Sequence, residues 1–202
     1  MKKIALLLAL SSLPSLASAN LVANGSFESN AQAAGTYGIY TNLTGWTGGV
    51  DGVELRNNVV GAASDGVNFV ELDTTRNSSI FQMINTNLGA EYTLSFDYSP
   101  RQGVSKYSNP IQAFWNGTLV TQVTGSGINK VGNNWTTIDL SVFGTGHDKL
   151  TFSAAGISDS YGGSLDNVSL IAAVPEPETY GMMLMGLGLM GFIARRRRND
   201  QA

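Results

Sequence analysis

Few side chains in this sequence have the types and spacing that catalysis requires. The single histidine, His147, lies in the polar stretch GTGHD, and no HExxH, GxSxG or histidine cluster supplies partners for a triad or a zinc site. Glu71 and Asp73 are two residues apart, and such a pair of carboxylates can hydrolyse glycosides. Residues two apart on a strand share a face by geometry alone, however. The sequence therefore predicts a protein that is not an enzyme.

Two further carboxylates occupy positions whose neighbours predict burial. Asp166 is in phase with Val168 and Leu170 on a predicted last strand, and Glu28 directly follows Phe27. A desolvated carboxylate is unfavourable unless it is paired, hydrogen-bonded or coordinated. Glu28 and Asp166 are therefore candidate metal ligands or, alternatively, acceptors of amide hydrogen bonds.

Tryptophan side chains are the candidates for ligand binding. Trp115 and Trp135 lie in strand patterns that favour core packing, whereas Trp46 lies in the glycine-rich stretch LTGWTGG, which predicts a loop. An exposed tryptophan offers an apolar face to a sugar ring. The predicted recognition surface is Trp46 together with Glu54 and Arg56 on the following strand.

The charge balance of residues 20–174 excludes one class of partner. This part of the chain carries six basic and twelve acidic residues, a net charge of −6. Nucleic acid needs Lys and Arg to neutralise its phosphates, so no nucleic-acid partner is expected. The chain has no cysteine, so disulfides cannot stabilise the fold.

The elements that must position these side chains are predicted to be strands. The clearest is EYTLSFDYS at residues 91–99, where Tyr92, Leu94, Phe96 and Tyr98 fall on one face. No stretch of residues 20–171 shows a sustained helical period. Two-residue alternation therefore predicts a β domain over residues 20–171.

A hairpin and several further strands complete the prediction. The segment 111–123 turns at Asn116-Gly117, the residue pair favoured in type I′ turns. The remaining strands are predicted near residues 21–28, 52–56, 67–73, 79–84, 135–142, 149–154 and 164–171. About nine short strands with Gly, Asn and Ser turns between them indicate an all-β sandwich of two sheets, of jelly-roll type.

The N-terminus has the pattern of a secretory signal peptide over residues 1–19. Lys2 and Lys3 precede the apolar run at residues 4–10, and Ala17-Ser18-Ala19 is a small-residue cleavage site. The mature chain is therefore predicted to begin at Asn20.

The C-terminus has a short linker at residues 172–179 and then an apolar run at residues 180–194. As a helix this run is about 22 Å long, against a hydrocarbon core of about 30 Å. The arginines that follow can reach lipid head groups and, by the positive-inside rule, stay cytoplasmic. The sequence therefore predicts a transmembrane helix with its arginine cluster at residues 180–198, either a temporary or a permanent anchor.

These C-terminal elements resemble the PEP-CTERM sorting signal of Gram-negative bacteria. The resemblance rests on VPEP at residues 174–177, the glycine-containing apolar run and the terminal arginines. The residues that carry it are Pro175, Glu176, Pro177, Arg195, Arg196, Arg197 and Arg198. It implies export across the inner membrane, processing by exosortase at Pro-Glu-Pro, and release to the cell surface or extracellular matrix.

A second resemblance covers most of residues 20–171. The stretches NLVANGSFE at 20–28, Gly45-Trp46 and LDNVSL at 165–170 are similar to the bounding motifs of galactose-binding-like jelly rolls, which include bacterial carbohydrate-binding modules. The resemblance implies a structural calcium ion held by Glu28 and Asp166 with backbone carbonyls. Calcium accepts six to eight oxygen ligands in loose geometry.

The two resemblances together imply a function. The expected protein is an exported, non-catalytic surface or matrix protein that binds or organises exopolysaccharide. One alternative is a structural or adhesive matrix protein that binds other proteins and no glycan. A glycan hydrolase is the third possibility.

Overall fold

The computed structural model describes residues 19–173, 185–187 and 189–190. Almost all of the predicted signal peptide lies outside these residues, as do Pro175, Glu176, Pro177 and the arginines at 195–198. Of the helix predicted at 180–198, residues 185–187 and 189–190 are described, and they are helical. No helix in the described part of the chain is long and apolar enough to cross a membrane.

The described residues form strands in two sheets. The strands are β1 Tyr37–Tyr40, β2 Asn42–Leu43, β3 Trp46–Gly48, β4 Val53–Asn57, β5 Asn68–Glu71, β6 Ser79–Asn85, β7 Glu91–Ser99, β8 Ile111–Trp115, β9 Thr118–Val123, β10 Thr136–Phe143, β11 His147–Ala154 and β12 Ser164–Ala172. Sheet A has the order β1-β4-β5-β12-β7-β10, and sheet B the order β2-β3-β6-β11-β8-β9. Every strand pairing is antiparallel. The predicted all-β, two-sheet sandwich is therefore confirmed.

The apolar core lies between the two sheets. Tyr92, Leu94, Phe96 and Tyr98 of β7 are all buried, as their alternation predicts. The ring of Phe96 meets that of Phe152 from sheet B edge to face, with centroids 5.0 Å apart. Such aromatic contacts across the layer fix how the sheets pack.

The hairpin between β8 and β9 turns where the sequence predicts. Asn116 and Gly117 both have positive φ angles, of 52° and 81°. A type I′ turn requires positive φ at both central positions, which Asn and Gly adopt readily.

The strand predicted at residues 21–28 is wrong. Asn24 and Phe27 have φ angles of 53° and 61°, so the segment turns instead of extending. It is nevertheless bonded to β12: Leu21 N donates to Leu170 O at 2.9 Å, and Val168 N donates to Gly25 O at 3.0 Å. A Cβ atom at Gly25 would lie 1.9 Å from Val168 O, so only glycine allows this close approach.

The loop predicted around Trp46 is also wrong. Trp46 begins β3 and is only 2% exposed. Its ring lies 5.7 Å from that of Phe27 and 6.3 Å from that of Phe152, and its indole Nε1 donates to Asn24 O at 3.0 Å. The side chain is therefore a core residue with its one polar group satisfied.

Candidate functional site

Part of the outer face of sheet A is polar but buried. Strand alternation directs Glu54, Arg56 and Glu71 away from the core, and all three are buried, as are Asp97 and Asp166. We call these five residues the covered face. Asp97 and Asp166 are bonded to the segment 58–67, and Glu71 is bonded to Arg101 and Gly162 of other loops.

The segment 58–67 is bonded to the covered face by specific contacts. The backbone N–H groups of Ser64 and Asp65 donate to Asp166 Oδ2 at 2.7 and 2.9 Å. Ser64 Oγ donates to Asp97 Oδ2 at 2.6 Å, and Trp135 Nε1 donates to Ala62 O at 2.9 Å. These bonds satisfy buried polar groups that would otherwise destabilise the fold.

An ionic chain runs along the covered face and leaves it at Arg101. Glu54 pairs with Arg56, and Arg56 Nε lies 3.1 Å from Glu71 Oε2. Arg101 Nη1 donates to both oxygens of Glu71, at 2.6 and 2.8 Å. The ionic chain is thus Glu54, Arg56, Glu71 and Arg101, with two charges of each sign.

Glu71 is the centre of this ionic chain. Burial raises its pKa to about 7, while Arg56 and Arg101 act in the opposite direction by favouring the carboxylate. Glu71 Oε1 also accepts a hydrogen bond from Gly162 N at 2.8 Å. The same carboxylate therefore fixes Arg101 and the segment that contains Gly162.

Two buried side chains hold the segments around Arg101 in place. Asn109 Oδ1 accepts from Arg101 N at 3.0 Å, and Asn109 Nδ2 donates to Ser105 O at 3.0 Å and to Gly125 O at 3.2 Å. Asp73 Oδ2 accepts from Asp159 N at 3.0 Å. Because these bonds go to the backbone, they set the shape of both segments.

These segments line an open cavity of about 440 Å³. The lining residues include Val60, Arg101, Ser105, Ser108, Asp159 and Tyr161. The Arg101 guanidinium carbon lies 4.6 Å from the centre of the Tyr161 ring, and Tyr161 is 49% exposed. Asp159 Oδ2 accepts from Ser108 Oγ at 2.8 Å. An aromatic ring, fixed N–H donors and a carboxylate can bind an apolar ring face and the hydroxyl groups around it.

The recognition surface predicted from Trp46, Glu54 and Arg56 does not form in the structure. Trp46 begins β3 of sheet B and its side chain is buried in the core, so it cannot offer a free face to a sugar. Glu54 and Arg56 are paired with each other, but both are buried. They support the cavity through Glu71 and do not line it.

The residues first considered for catalysis have internal partners. Glu71 is bonded to two arginines, and Asp73 accepts the backbone N–H of Asp159. His147 begins β11, is exposed, and its Nδ1 lies 2.9 Å from Asn85 Oδ1. The cavity therefore takes its chemistry from Arg101, Asp159 and Tyr161.

Glu28 and Asp166 hold the two ends of one segment, residues 64–68. Glu28 Oε1 accepts from Val67 N at 2.8 Å and Asn68 N at 2.6 Å, whereas both oxygens of Asp166 accept backbone N–H groups. Burial raises the pKa of Asp166 to about 7. This arrangement is the hydrogen-bonded alternative considered from the sequence.

The structural calcium ion stays a prediction. The oxygen atoms of the nearby carboxylate and amide side chains partly fit its ligand preferences. The side-chain oxygen Asn68 Oδ1 is buried and has no hydrogen-bond partner among the described residues. The backbone N–H of Asn68 donates to Glu28 Oε1, and its side-chain Nδ2 donates to the carbonyl oxygen of Phe27, the residue before Glu28. Carboxylate and amide oxygens are the ligands that calcium prefers. Glu28 and Asn68 fit the ion in kind, and Asp166 fits less well because its oxygens are engaged. The part of the chain described contains no group of three or more His, Cys, Asp or Glu residues able to hold a metal.

Sequence reasoning missed the residues that form the cavity. Arg101, Asn109 and Tyr161 occur in segments without periodicity, so no strand pattern marks them. One available signal was the scarcity of basic residues: Arg101 is one of only six in residues 20–174. An arginine in an acidic domain usually has a carboxylate partner, here Glu71.

Comparison with known families identifies the C-terminal segment. Residues 173–198 match the PEP-CTERM protein-sorting motif. This confirms the resemblance seen in the sequence. The motif indicates a protein that is exported and sorted through exosortase to the cell envelope or surface.

Relatives by sequence are much longer proteins. The chain is 30% identical over 152 residues to a multifunctional-autoprocessing repeats-in-toxin protein of Vibrio cholerae. The match covers 74% of this chain and only 3% of the toxin. A homologous toxin of Vibrio vulnificus is 29% identical over 153 residues, again 3% of its length.

Two similar solved structures, with TM-scores above 0.5, share the fold of this chain. The K1 cleaved adhesin domain of Lys-gingipain from Porphyromonas gingivalis has a TM-score of 0.52 at 14% identity, covering 69% of this chain and 98% of the adhesin domain. An arabinose-bound α-L-arabinofuranosidase has a TM-score of 0.54 at 12% identity, covering 77% of this chain and 27% of the enzyme. A family 35 carbohydrate-binding module from Clostridium thermocellum has a TM-score of 0.47 at 18% identity, covering 68% and 99%. The chain is therefore an exported β-sandwich protein that carries the PEP-CTERM protein-sorting motif.

Proposed function

We propose that this protein is a non-catalytic module that binds extracellular polysaccharide in the cavity formed by Arg101, Asp159 and Tyr161. The sorting motif then delivers this binding activity to the cell surface or matrix. Before sorting, residues 180–198 hold the protein in the inner membrane, and exosortase acts at Pro175-Glu176-Pro177.

The observation that carries the proposal is that the ionic chain holds Arg101, which lines the cavity, in a fixed position. Burying a salt bridge contributes little net stability compared with apolar packing of similar volume. The ionic chain does, however, fix the position of Arg101 beneath the ring of Tyr161. A binding site gains affinity when its groups are already in place, because little freedom is lost on binding.

The charges around the cavity favour a neutral glycan. The ionic chain balances two carboxylates against two guanidinium groups, so Arg101 is already compensated. Asp159 adds a negative charge, and residues 20–174 have a net charge of −6. An acidic polymer would be repelled, whereas the hydroxyl groups of a neutral sugar can both donate to Asp159 and accept from Arg101.

Replacing Tyr161 by alanine should weaken polysaccharide binding by about tenfold or more, the equivalent of about 1.4 kcal/mol. The reason is the loss of the apolar face against which a sugar ring packs. Tyr107→Ala is the matched control, because Tyr107 is 62% exposed and does not line the cavity. Titration calorimetry with the producer's own neutral and acidic exopolysaccharides measures both variants.

Two results would contradict this proposal. Equal affinities for the Tyr161 and Tyr107 variants would place the site elsewhere. No binding to any polysaccharide, including that of the producer, would favour a structural or adhesive protein that binds other proteins.

We also propose a structural calcium ion with Glu28 and Asp166 among its ligands. A ligand that binds only the folded chain stabilises it by about 2.7 kcal/mol at a concentration 100-fold above its dissociation constant. For a chain of this size, that stabilisation raises the melting midpoint by about 5–10 °C. Thermal melts of the full chain with calcium, magnesium or chelator measure the effect.

Glu28→Gln should abolish the rise of the melting midpoint with calcium. A midpoint that is the same with calcium and with chelator would leave the hydrogen bonds to segment 64–68 as the whole role of both carboxylates.

A further inference from the structure

The chain leaves the sandwich at one end of sheet A. Ala172, the last residue of β12, lies opposite Tyr92, and Ala173 N donates to Glu91 O at 2.9 Å. Glu91 lies opposite Phe143 at the end of β10. The turn that contains Leu88 is joined to the same place, since Gly89 N donates to Gly144 O at 2.8 Å.

Three apolar side chains are exposed around this exit point. Leu88 is 82% exposed and Phe143 is 60% exposed, and Ile171 on β12 is also exposed. We call Leu88, Phe143 and Ile171 the exit rim. Removing the exposed apolar surface of these side chains from water lowers the free energy of the system.

The linker to the apolar C-terminal run is short. Ala173 is still bonded to the sandwich, and the run begins at Tyr180. Seven residues span at most about 25 Å when fully extended. Once the run is inserted in a bilayer, the exit rim therefore stays within about one domain diameter of the lipid surface.

The cavity lies at the opposite end of sheet A. Strand β7 starts at Glu91 beside the exit rim and ends at Ser99, two residues before Arg101. Nine residues of strand extend about 30 Å. The exit rim and the cavity are therefore separated by the length of the sheet.

We propose that the exit rim rests on the bilayer surface while the protein is held in the membrane, so that the cavity points outward. This inference rests on the proposed anchoring by residues 180–198. A short linker gives the exit rim an effective concentration in the millimolar range at the lipid surface, so a weak apolar contact is enough. Cleavage at Pro-Glu-Pro removes the linker and with it the contact.

The contact is with lipid tails and the interfacial region, not with charged head groups. Glu91 is exposed beside the exit rim, and residues 20–174 have a net charge of −6. An acidic surface is repelled by anionic lipids. The contact is therefore insensitive to salt on zwitterionic membranes.

Single-cysteine labelling tests the orientation, because the chain contains no cysteine of its own. Leu88→Cys carries an environment-sensitive fluorophore in the full chain, reconstituted in phosphatidylcholine vesicles that contain a lipid-borne quencher. The matched control is Tyr107→Cys, an exposed site beside the cavity segments. We expect several-fold stronger quenching at position 88 than at position 107, at low and high salt alike.

The outcomes separate this inference from the proposal on which it rests. Equal quenching at the two positions in vesicle-bound protein overturns the orientation while leaving the anchor intact. A chain that does not associate with vesicles overturns the anchor, and the orientation with it. Burial of position 88 only when the processing enzyme is reconstituted overturns lipid as the partner and assigns the exit rim to that enzyme.

Discussion

Replacing Glu71 by alanine should lower the free energy of unfolding by about 3–5 kcal/mol. Among the residues that the structure describes, the change leaves the buried guanidinium group of Arg56 with only Glu54 and takes away the one carboxylate bonded to Arg101. It also removes the acceptor of Gly162 N. Urea denaturation of the wild type and the variant at one fixed pH measures the effect.

Glu54→Ala is the matched control for this prediction. Glu54 lies directly opposite Glu71 on the neighbouring strand and is also buried. Arg56 keeps Glu71 when Glu54 is lost, so we expect a smaller loss of about 1–3 kcal/mol. Glu71→Ala should also weaken polysaccharide binding, since it frees Arg101. If the two variants lose equal stability and bind equally well, Glu71 is not the centre of the ionic chain.

Replacing Trp46 by alanine should lower the free energy of unfolding by about 3–5 kcal/mol. The side chain is buried against Phe27 and Phe152, and its removal leaves a large cavity in the core. Asn24 O also loses one of its two donors and keeps the other, Phe27 N at 3.2 Å. Urea denaturation curves at fixed pH give the free energy directly.

Trp46→Phe separates packing from hydrogen bonding at this position. Phenylalanine keeps an aromatic ring but cannot donate to Asn24 O, which still accepts from Phe27 N, so a loss of about 0.5–1.5 kcal/mol is expected. The fraction of either variant that remains folded should bind polysaccharide with unchanged affinity. Unchanged stability with lost binding would instead restore the recognition surface predicted from the sequence.

The parts of the fold that depend on local pattern were predictable. The alternation of residues 91–99 places four side chains in the core because successive strand residues point to opposite faces. Asn116-Gly117 sets its turn because few other residue pairs adopt positive φ twice. The sorting motif at residues 173–198 was recognisable for the same reason, since it is read as a linear sequence.

The covered face was not predictable from the sequence. Alternation indicates correctly that Glu54 and Arg56 point away from the core, and such residues are usually in water. Here Arg56 is paired with Glu54 and Glu71, while Asp97 and Asp166 on the same face are bonded to segment 58–67. These are tertiary contacts with no local signal in the sequence. The bond between Arg101 and Glu71 likewise joins residues 30 positions apart in segments of different kind.

Trp46 shows how composition can mislead. Glycines on both sides of it are typical of loops, but here Gly45 has a φ angle of 80° and turns the chain into β3. Trp46 is the next residue and the first of β3, and its side chain lies on the face of the strand that is turned toward the core. The glycines position the tryptophan in the core instead of exposing it.

A crystal structure of the protein with an oligosaccharide cut from a polysaccharide that it binds tests the central claim most directly. We expect a neutral sugar ring packed against Tyr161, with hydroxyl groups bonded to Arg101 and Asp159 and with Glu71 still bonded to Arg101. A sugar bound anywhere else on the sandwich, with the cavity at Arg101 containing only water, would contradict it.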